Sequence, residues 1–232
     1  MGTGDSGLPA RREVAKRIAM WKLPPTDTVL QLLSYVAFTA QAMTAALAAG
    51  RRSMDWAGVC MLGCITALGG GTIRDVLLGH YPLVWVRNPF YLALTAMAAF
   101  VTILIARAVH RLNLAFLVLD AIGLVVFTMA GCDVALQLDL LPTIVIVAGL
   151  ITGCAGGVLR DILCNDIPLL FRSELYASVA IATGVFYVAG RGLNFDHDGW
   201  TALTFVFGLT LRLLAIRYKW EMPKFVFGED KH

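Results

Sequence analysis

Two copies of one short motif hold the residues that could do chemistry in this chain. The copies, Gly69–Asp75 and Ala155–Asp161, lie 86 residues apart, and each places glycines before an Arg-Asp pair. Main-chain groups freed at glycines, together with a guanidinium and a carboxylate, suit the binding of an ion or a small zwitterion. The candidate residues are Gly69, Gly70, Gly71, Arg74, Asp75, Gly156, Gly157, Arg160 and Asp161.

Neither motif has the partners that catalysis needs. No His, Cys or Ser stands beside either Arg-Asp pair in an arrangement of nucleophile and base, so we expect no enzymatic activity and no cofactor. The five cysteines form no CxxC pattern and have no histidine pair nearby. They are interpreted as small buried apolar side chains rather than a metal site or a disulfide framework.

The composition indicates a membrane protein. Hydrophobic residues make up 58% of the 232 residues and charged residues 15%, against about 25% charged in soluble domains. The net charge of +3 is small, and the basic residues lie near the ends of apolar segments rather than in a stripe. Nucleic-acid binding is therefore not expected, and the lipid bilayer is the expected partner.

Seven apolar segments are long enough to be membrane spans of about 20 residues. The sequence therefore predicts an all-α polytopic membrane protein with seven transmembrane helices. The predicted spans are 28–49, 54–78, 89–109, 114–137, 142–164, 173–190 and 200–218.

The motif belongs to a longer internal repeat. Residues 63–83 match residues 149–169 at 10 of 21 positions without a gap. Each unit contains three spans, and an odd number of spans makes the second unit enter the membrane from the opposite side, as in many transporters. The predicted organisation is a first three-helix repeat (28–112), an inverted second repeat (113–192), a seventh helix (193–218) and a tail (219–232).

Residues 1–27 form a basic amino-terminal segment. Its apolar residues have the spacing of one helical face, which suits a short interfacial helix. A signal peptide is the competing interpretation, because a basic stretch precedes an apolar one. That apolar stretch is longer than an ordinary signal core and belongs to the repeat.

The distribution of basic residues bears on orientation. We call the end of the bundle where the first span begins side A and the opposite end side B. Loops and tail on side B hold most of the Arg and Lys residues, while residues 11–22 place five on side A. The positive-inside rule applied to the loops predicts a cytoplasmic C-terminus.

The glycines predict interrupted helices. Met54–Leu68 is too short to cross about 30 Å of hydrocarbon at 1.5 Å per residue. Glycine in a helix interior costs about 1 kcal/mol relative to alanine. We therefore expect the second span to be kinked or unwound at Gly69–Gly71, and the fifth at Gly156–Gly157. The alternative is that the glycines only permit close helix packing, as Gly149 and Gly153 would.

The Arg-Asp pairs predict contacts between the repeats. Neighbours in a helix point about 100° apart, so Arg74 should not simply pair with Asp75. Across a pseudo-two-fold axis, Arg74 could meet Asp161 and Arg160 could meet Asp75. The alternative is an arginine that reaches lipid headgroups beside a capping aspartate.

Asp120 is a further candidate because it is a carboxylate at helix depth. Its counterpart in the first repeat is Ser34. Ser34 and Gln41 could line an aqueous path opposite it. The alternative is an interfacial helix cap.

The chain resembles the trimeric intracellular cation channel family in three features. These are the two motifs, the D-x-x-G-x-x-x-F-x-x-x-G pattern of Asp120–Gly131, and the count of three plus three plus one helices. The closer resemblance is to its bacterial branch, also described as glycine-transporter-domain proteins. The resemblance implies a homotrimer in which each protomer holds its own pore. It implies pore-lining first, second, fourth and fifth spans kinked at the glycines, and potassium permeation with sodium also passing.

This chain departs from the family pattern in the first span, where Ser34, Ala37 and Ala45 replace an Asp and two Gly. It also has no Lys in the membrane interior, which puts voltage or calcium gating of the animal type in doubt. Besides a potassium channel, the residues allow a carrier of a small amino acid such as glycine, and a bound lipid. A purely structural membrane protein would not need duplicated intramembrane charge.

Overall fold

The computed structural model describes residues 28–106, 112–172, 175–191 and 196–220, and within them every regular element is an α-helix. Seven of the helices have 16 residues or more, and two are single turns. The helices are α1 (Thr28–Gly50), α2 (Trp56–Leu78), α3 (Val84–Arg87), α4 (Phe90–Ile105), α5 (Leu112–Gln137), α6 (Pro142–Leu163), α7 (Leu169–Arg172), α8 (Tyr176–Arg191) and α9 (His197–Tyr218).

Five of these helices are long and apolar enough to cross a membrane, namely α1, α2, α5, α6 and α9. They confirm five of the seven predicted spans. The third and sixth correspond to α4 and α8, which have 16 residues each and so measure about 24 Å; one end of each predicted span lies outside the described residues. The predicted interfacial helix within residues 1–27 lies outside the described residues.

The two repeats end their second helices in the same way. Gly79 and Asn165, 86 positions apart, both adopt the left-handed conformation with φ of 65° and 55°. The amide of the next residue then turns back: His80 donates to the carbonyl of Asp75, and Asp166 donates to that of Asp161, each at 2.8 Å. The single-turn helices α3 and α7 follow. The repeat read in the sequence is therefore a structural repeat.

The two motif helices are not interrupted. α2 runs without a break from Trp56 to Leu78, and α6 from Pro142 to Leu163. The prediction of unwound backbone at Gly69–Gly71 and Gly156–Gly157 is wrong. The physical reason is that Gly69, Gly70 and Gly156 lie where α2 and α6 pack against each other, and this packing offsets the low helix propensity of glycine.

The contact between α2 and α6 is reciprocal. A Cβ atom on Gly70 would stand 2.3 Å from the carbonyl oxygen of Thr152, and one on Gly156 would stand 2.3 Å from that of Thr66. Thr66 and Thr152 are themselves repeat equivalents. The glycines thus let two helix backbones touch at a pseudo-two-fold axis, which is the packing alternative for these residues.

Small residues also join α5 to α6. A Cβ on Gly149 would lie 2.8 Å from the carbonyl oxygen of Thr128, and one on Gly153 would lie 2.8 Å from that of Leu124. The close-packing interpretation of Gly149 and Gly153 is confirmed. α9 lies outside the two repeats and packs against α8, α5 and α1.

Candidate functional site

The arginine of the second motif, Arg160, is fully buried near side B. Arg160 has no exposed surface. Its Nη1 donates to Asp120 Oδ1 at 2.8 Å and to Thr44 Oγ1 at 3.0 Å, and its Nε donates to Asp161 Oδ1 at 2.8 Å. We call these four residues the Arg160 cluster. They tie α1, α5 and α6 together at this end of the bundle.

Further contacts seal the Arg160 cluster. The ring of Phe116 lies 4.5 Å from the centre of the guanidinium group, and Asp161 Oδ2 accepts the backbone amide of Leu169 at 2.9 Å. Charges buried this deeply are tolerated only when they are paired and hydrogen-bonded. This end of the bundle therefore holds a buried charge network within the apolar packing of its neighbours.

The equivalent group near side A is smaller. Arg74 donates from Nε and Nη2 to Asp75 Oδ1 at 2.9 and 2.7 Å, and His80 Nδ1 lies 3.0 Å from the same oxygen. Asp75 Oδ2 is buried and accepts no hydrogen bond from any residue that the structure describes. Ser34, at the position equivalent to Asp120, instead donates to the carbonyl of Leu30.

The predicted pairing of Arg74 with Asp161 and of Arg160 with Asp75 is wrong. Each arginine binds the aspartate that directly follows it. The helix does point neighbouring Cβ atoms about 100° apart, but the guanidinium lies several rotatable bonds from the backbone. It can therefore fold back onto the short aspartate side chain. Nor does either arginine reach out to headgroups, because both are buried.

A cavity of about 160 Å³ opens beside Arg74, and we call it the side-A chamber. It lies between α1, α2, α5 and the α3 turn. Its inner wall reaches Thr152 on α6, next to the helix crossing. Its polar lining residues include Gln31, Ser34, Arg74, His80, Arg87, Asn88, Asp133 and Gln137, with Phe38, Trp85, Tyr91 and Phe127 among the aromatic ones.

The chamber brings together only part of the predicted site. Ser34 and Gly71 line it, as does Arg74. Gln41 is 1% exposed and fills the notch at Gly123, where a Cβ would meet its Nε2 at 2.0 Å. Asp120 lies eight residues into α5 and binds Arg160, so it is not a cap of that helix. Gly69, Gly70, Gly156 and Gly157 are not among the residues that line the chamber.

The structure adds a second buried network that the sequence interpretation missed. On side A, Arg191 Nη2 donates to Asp133 Oδ1 at 2.7 Å and to the hydroxyl of Tyr187 at 2.8 Å. Gln137 Nε2 donates to Asp133 Oδ2 at 2.7 Å. The spacing of Tyr187 and Arg191, four residues apart on one helix, was the available signal.

Arg212 was missed as well. It has no exposed surface, and its guanidinium lies 4.6 Å from the centre of the Tyr176 ring. An arginine in the interior of an apolar span, away from its ends, is the signal that could have revealed it.

Comparison with known proteins identifies the family. Residues 31–107 and 117–191 match the glycine transporter family. The chain is 38% identical over 191 residues to the UPF0126 inner membrane protein YadS of Escherichia coli, covering 82% of this chain and 92% of YadS. The chain belongs to the glycine transporter family. Because YadS is a named membrane protein and five helices here can span a bilayer, this member is a membrane protein.

Solved structures place this glycine transporter family member among the trimeric intracellular cation channels. The orthologue from Rhodobacter sphaeroides superimposes with a TM-score of 0.79 at 33% identity, covering 83% of this chain and 99% of that one. The channel from C. elegans, at 14% identity and a TM-score of 0.57 over 82% of this chain and 97% of that one, shares the fold. The resemblance to the bacterial branch of that family is confirmed.

Proposed function

We propose that the protein is a monovalent cation channel of the plasma membrane, with one conduction path through each protomer. The family membership and the 33% identity to a solved cation channel support this function. The observation that carries it is the side-A chamber, which reaches Thr152 at the crossing of α2 and α6, with the buried Arg160 cluster at the other end of the same helices.

The path we propose runs between α1, α2, α5 and α6. It enters the side-A chamber beside Ser34 and Gly71, passes the carbonyl of Thr152, and ends at the buried Arg160 cluster. Oxygen atoms along such a path replace part of the hydration shell of an ion. Asp75 Oδ2, which lacks a partner among the described residues, lies buried behind Arg74 rather than in the lining of the chamber.

The difference between the two repeats supports assigning them different roles in the proposed path. On side B, Asp120 gives Arg160 a second carboxylate and draws α5 against α6. On side A, the equivalent residue is Ser34, which binds its own helix, and no second carboxylate binds Arg74 within the described residues. We therefore propose that the Arg160 cluster is the gate, and that this structure is a closed state.

Recording from purified protein in planar bilayers tests the function. We expect discrete currents carried by potassium, with sodium also passing, and a reversal potential that follows the potassium gradient. The permeant ion and the homotrimer are parts of the proposal. Silence in the bilayer, together with saturable uptake of labelled glycine into vesicles, would contradict the channel.

A carrier of a small neutral amino acid such as glycine is the second candidate. One observation favours it: the side-A chamber presents Arg74 and Arg87 together with the carboxylate of Asp133. A zwitterion needs both signs of charge within one small cavity. Saturable glycine uptake without single-channel events is the result that would select this candidate.

A further inference from the structure

The lining of the side-A chamber has an excess of positive charge. Its charged side chains are Arg74, Arg87 and Asp133. Arg74 is neutralised by Asp75, and Asp133 is neutralised by Arg191. Arg87 is left without a counter-charge in the part of the chain that the structure describes.

Arg87 is also left without hydrogen bonds there. Its Nε is buried and has no partner, and none of its other nitrogens has a described side-chain or backbone acceptor. Nε of Arg87 has given up water without gaining a substitute, and the charge of the group has no counter-charge nearby, which is unfavourable beside apolar walls. A negatively charged group bound in the chamber would therefore stabilise Arg87.

The nearby carboxylates do not supply that group. Asp133 accepts hydrogen bonds from Arg191, Tyr187 and Gln137 through its two oxygens. Asp75 Oδ1 accepts from Arg74 and lies beside His80, and Asp75 is not among the lining residues. The remaining polar groups of the lining, such as Asn88 and Gln31, can donate hydrogen bonds but carry no charge.

The size of the chamber limits what the anion can be. A cavity of about 150 Å³ can hold a benzene molecule, and the chamber measures about 160 Å³. A halide with a few waters fits this space, and so does a short carboxylate. A nucleotide or a sugar phosphate does not.

We propose that the side-A chamber binds a small monovalent anion, a halide or a short carboxylate, on Arg87. The binding itself does not depend on the proposed channel. Its consequence rests on the proposed function: the anion cancels the charge of Arg87 beside the cation path, so the cation current depends on which anion bathes side A.

Trp85 provides the readout, because its indole lines the chamber and donates to Thr72 at 3.2 Å. Bromide quenches indole fluorescence on contact. Tryptophan fluorescence of the full-length protein is measured in lipid-free detergent while bromide replaces the bulky anion gluconate, so that the ionic strength stays constant. The Trp85→Phe variant identifies the signal of Trp85 among the five tryptophans. We expect saturable quenching that acetate relieves by competition.

Matched variants assign the site. Arg87→Gln should raise the half-saturating bromide concentration about tenfold or more, as expected when one charged hydrogen bond is lost. Arg87→Lys should retain part of the affinity, which keeps the test informative if the glutamine variant does not fold. Arg52→Gln should behave as wild type, because Arg52 is exposed on side B and binds Asp166.

Two outcomes would overturn the anion site. One is quenching that stays linear in bromide and is equal in wild type and Arg87→Gln. The other is loss of the saturable signal when the protein is moved into phosphatidylglycerol nanodiscs, which would assign Arg87 to a lipid phosphate. The bromide titration measures no current, so a negative result contradicts the anion site and not the proposed channel. Absence of current in the bilayer, with saturable bromide binding retained, would contradict only the channel.

Discussion

Gly70 lies so close to Thr152 that a methyl group on its α-carbon would stand 2.3 Å from the carbonyl oxygen of that threonine. Gly156 lies in the same relation to Thr66. The adjacent glycine, Gly71, is different, because the nearest atom to its Cβ position is a nitrogen of the Arg74 side chain at 3.7 Å. Gly70 therefore permits the close contact between α2 and α6, whereas its neighbour Gly71 has room for a side chain.

Replacing Gly70 by alanine should therefore destabilise the protein, whereas the same change at Gly71 should not. The added methyl group of Gly70→Ala must push α2 away from α6, at about 1 to 3 kcal/mol for overpacking. Gly71→Ala has room for its methyl group and gains helix propensity of about 1 kcal/mol. Thermal unfolding in detergent checks both, and equal melting temperatures would contradict the close approach.

Ser34→Asp should close the side-A chamber. The substitution gives Arg74 the second carboxylate that Asp120 gives Arg160, at the equivalent position of the other repeat. We expect the single-channel open probability to fall. Ser34→Asn is the control, because it has a similar size and no charge. A current reduced equally by both variants would show that bulk rather than charge blocks the path.

Asp120→Ser should release the Arg160 cluster. The variant makes the second repeat like the first, and it leaves a buried guanidinium with one carboxylate instead of two. Breaking a buried pair costs about 3 to 5 kcal/mol, so the melting temperature should fall while the open probability rises. Unchanged gating in a variant that is clearly destabilised would show that the Arg160 cluster only holds the fold together.

A double-mutant cycle separates the pair from its surroundings. Asp120→Asn and Arg160→Gln should each destabilise the protein, and the double variant should be less destabilised than their sum. Residues in direct contact typically couple by about 0.5 to 3 kcal/mol. Thr44→Val, which removes an uncharged partner of Arg160 together with the hydrogen bond from Thr44 to the carbonyl of Gln41, is the milder comparison. Additive effects of Asp120 and Arg160 would contradict the 2.8 Å contact between them.

Thiol labelling tests the predicted orientation together with the chamber. In a cysteine-free background, an impermeant reagent added to intact cells should label Ser34→Cys, because the side-A chamber faces outward when the C-terminus is cytoplasmic. Gln41→Cys, seven residues further along α1 and buried, should stay unlabelled. Labelling of Ser34→Cys only in inside-out vesicles would reverse the orientation.

Hydropathy was enough to predict an all-helical membrane protein and five of its spans, because these depend on patterns spread over many residues. The conformation of a single side chain, and hence its partner, was not predictable in the same way. Arg74 and Arg160 bind their own neighbours because a long side chain can turn back, and helical geometry at Cβ does not describe that freedom. The partners of Arg191 and Arg212 depend on the packing of α8 and α9, which the sequence did not specify.

The glycines illustrate a different limit. A run such as Gly69–Gly71 is compatible both with a broken helix and with a tight crossing. Only the position of α6, with Thr152 facing Gly70, decides between them. Tertiary contact here overrides a local propensity of about 1 kcal/mol per residue.

The reciprocity of the contact between Gly70 and Thr152 and between Gly156 and Thr66 has a consequence for the origin of this architecture. Each half offers the other the same pair of groups. A shorter ancestral polypeptide with one copy, inserted into the membrane in both directions, would therefore form this junction between two identical molecules. Fusion of two gene copies would then have joined the two oppositely inserted molecules in one chain. The two halves could afterwards have diverged in sequence.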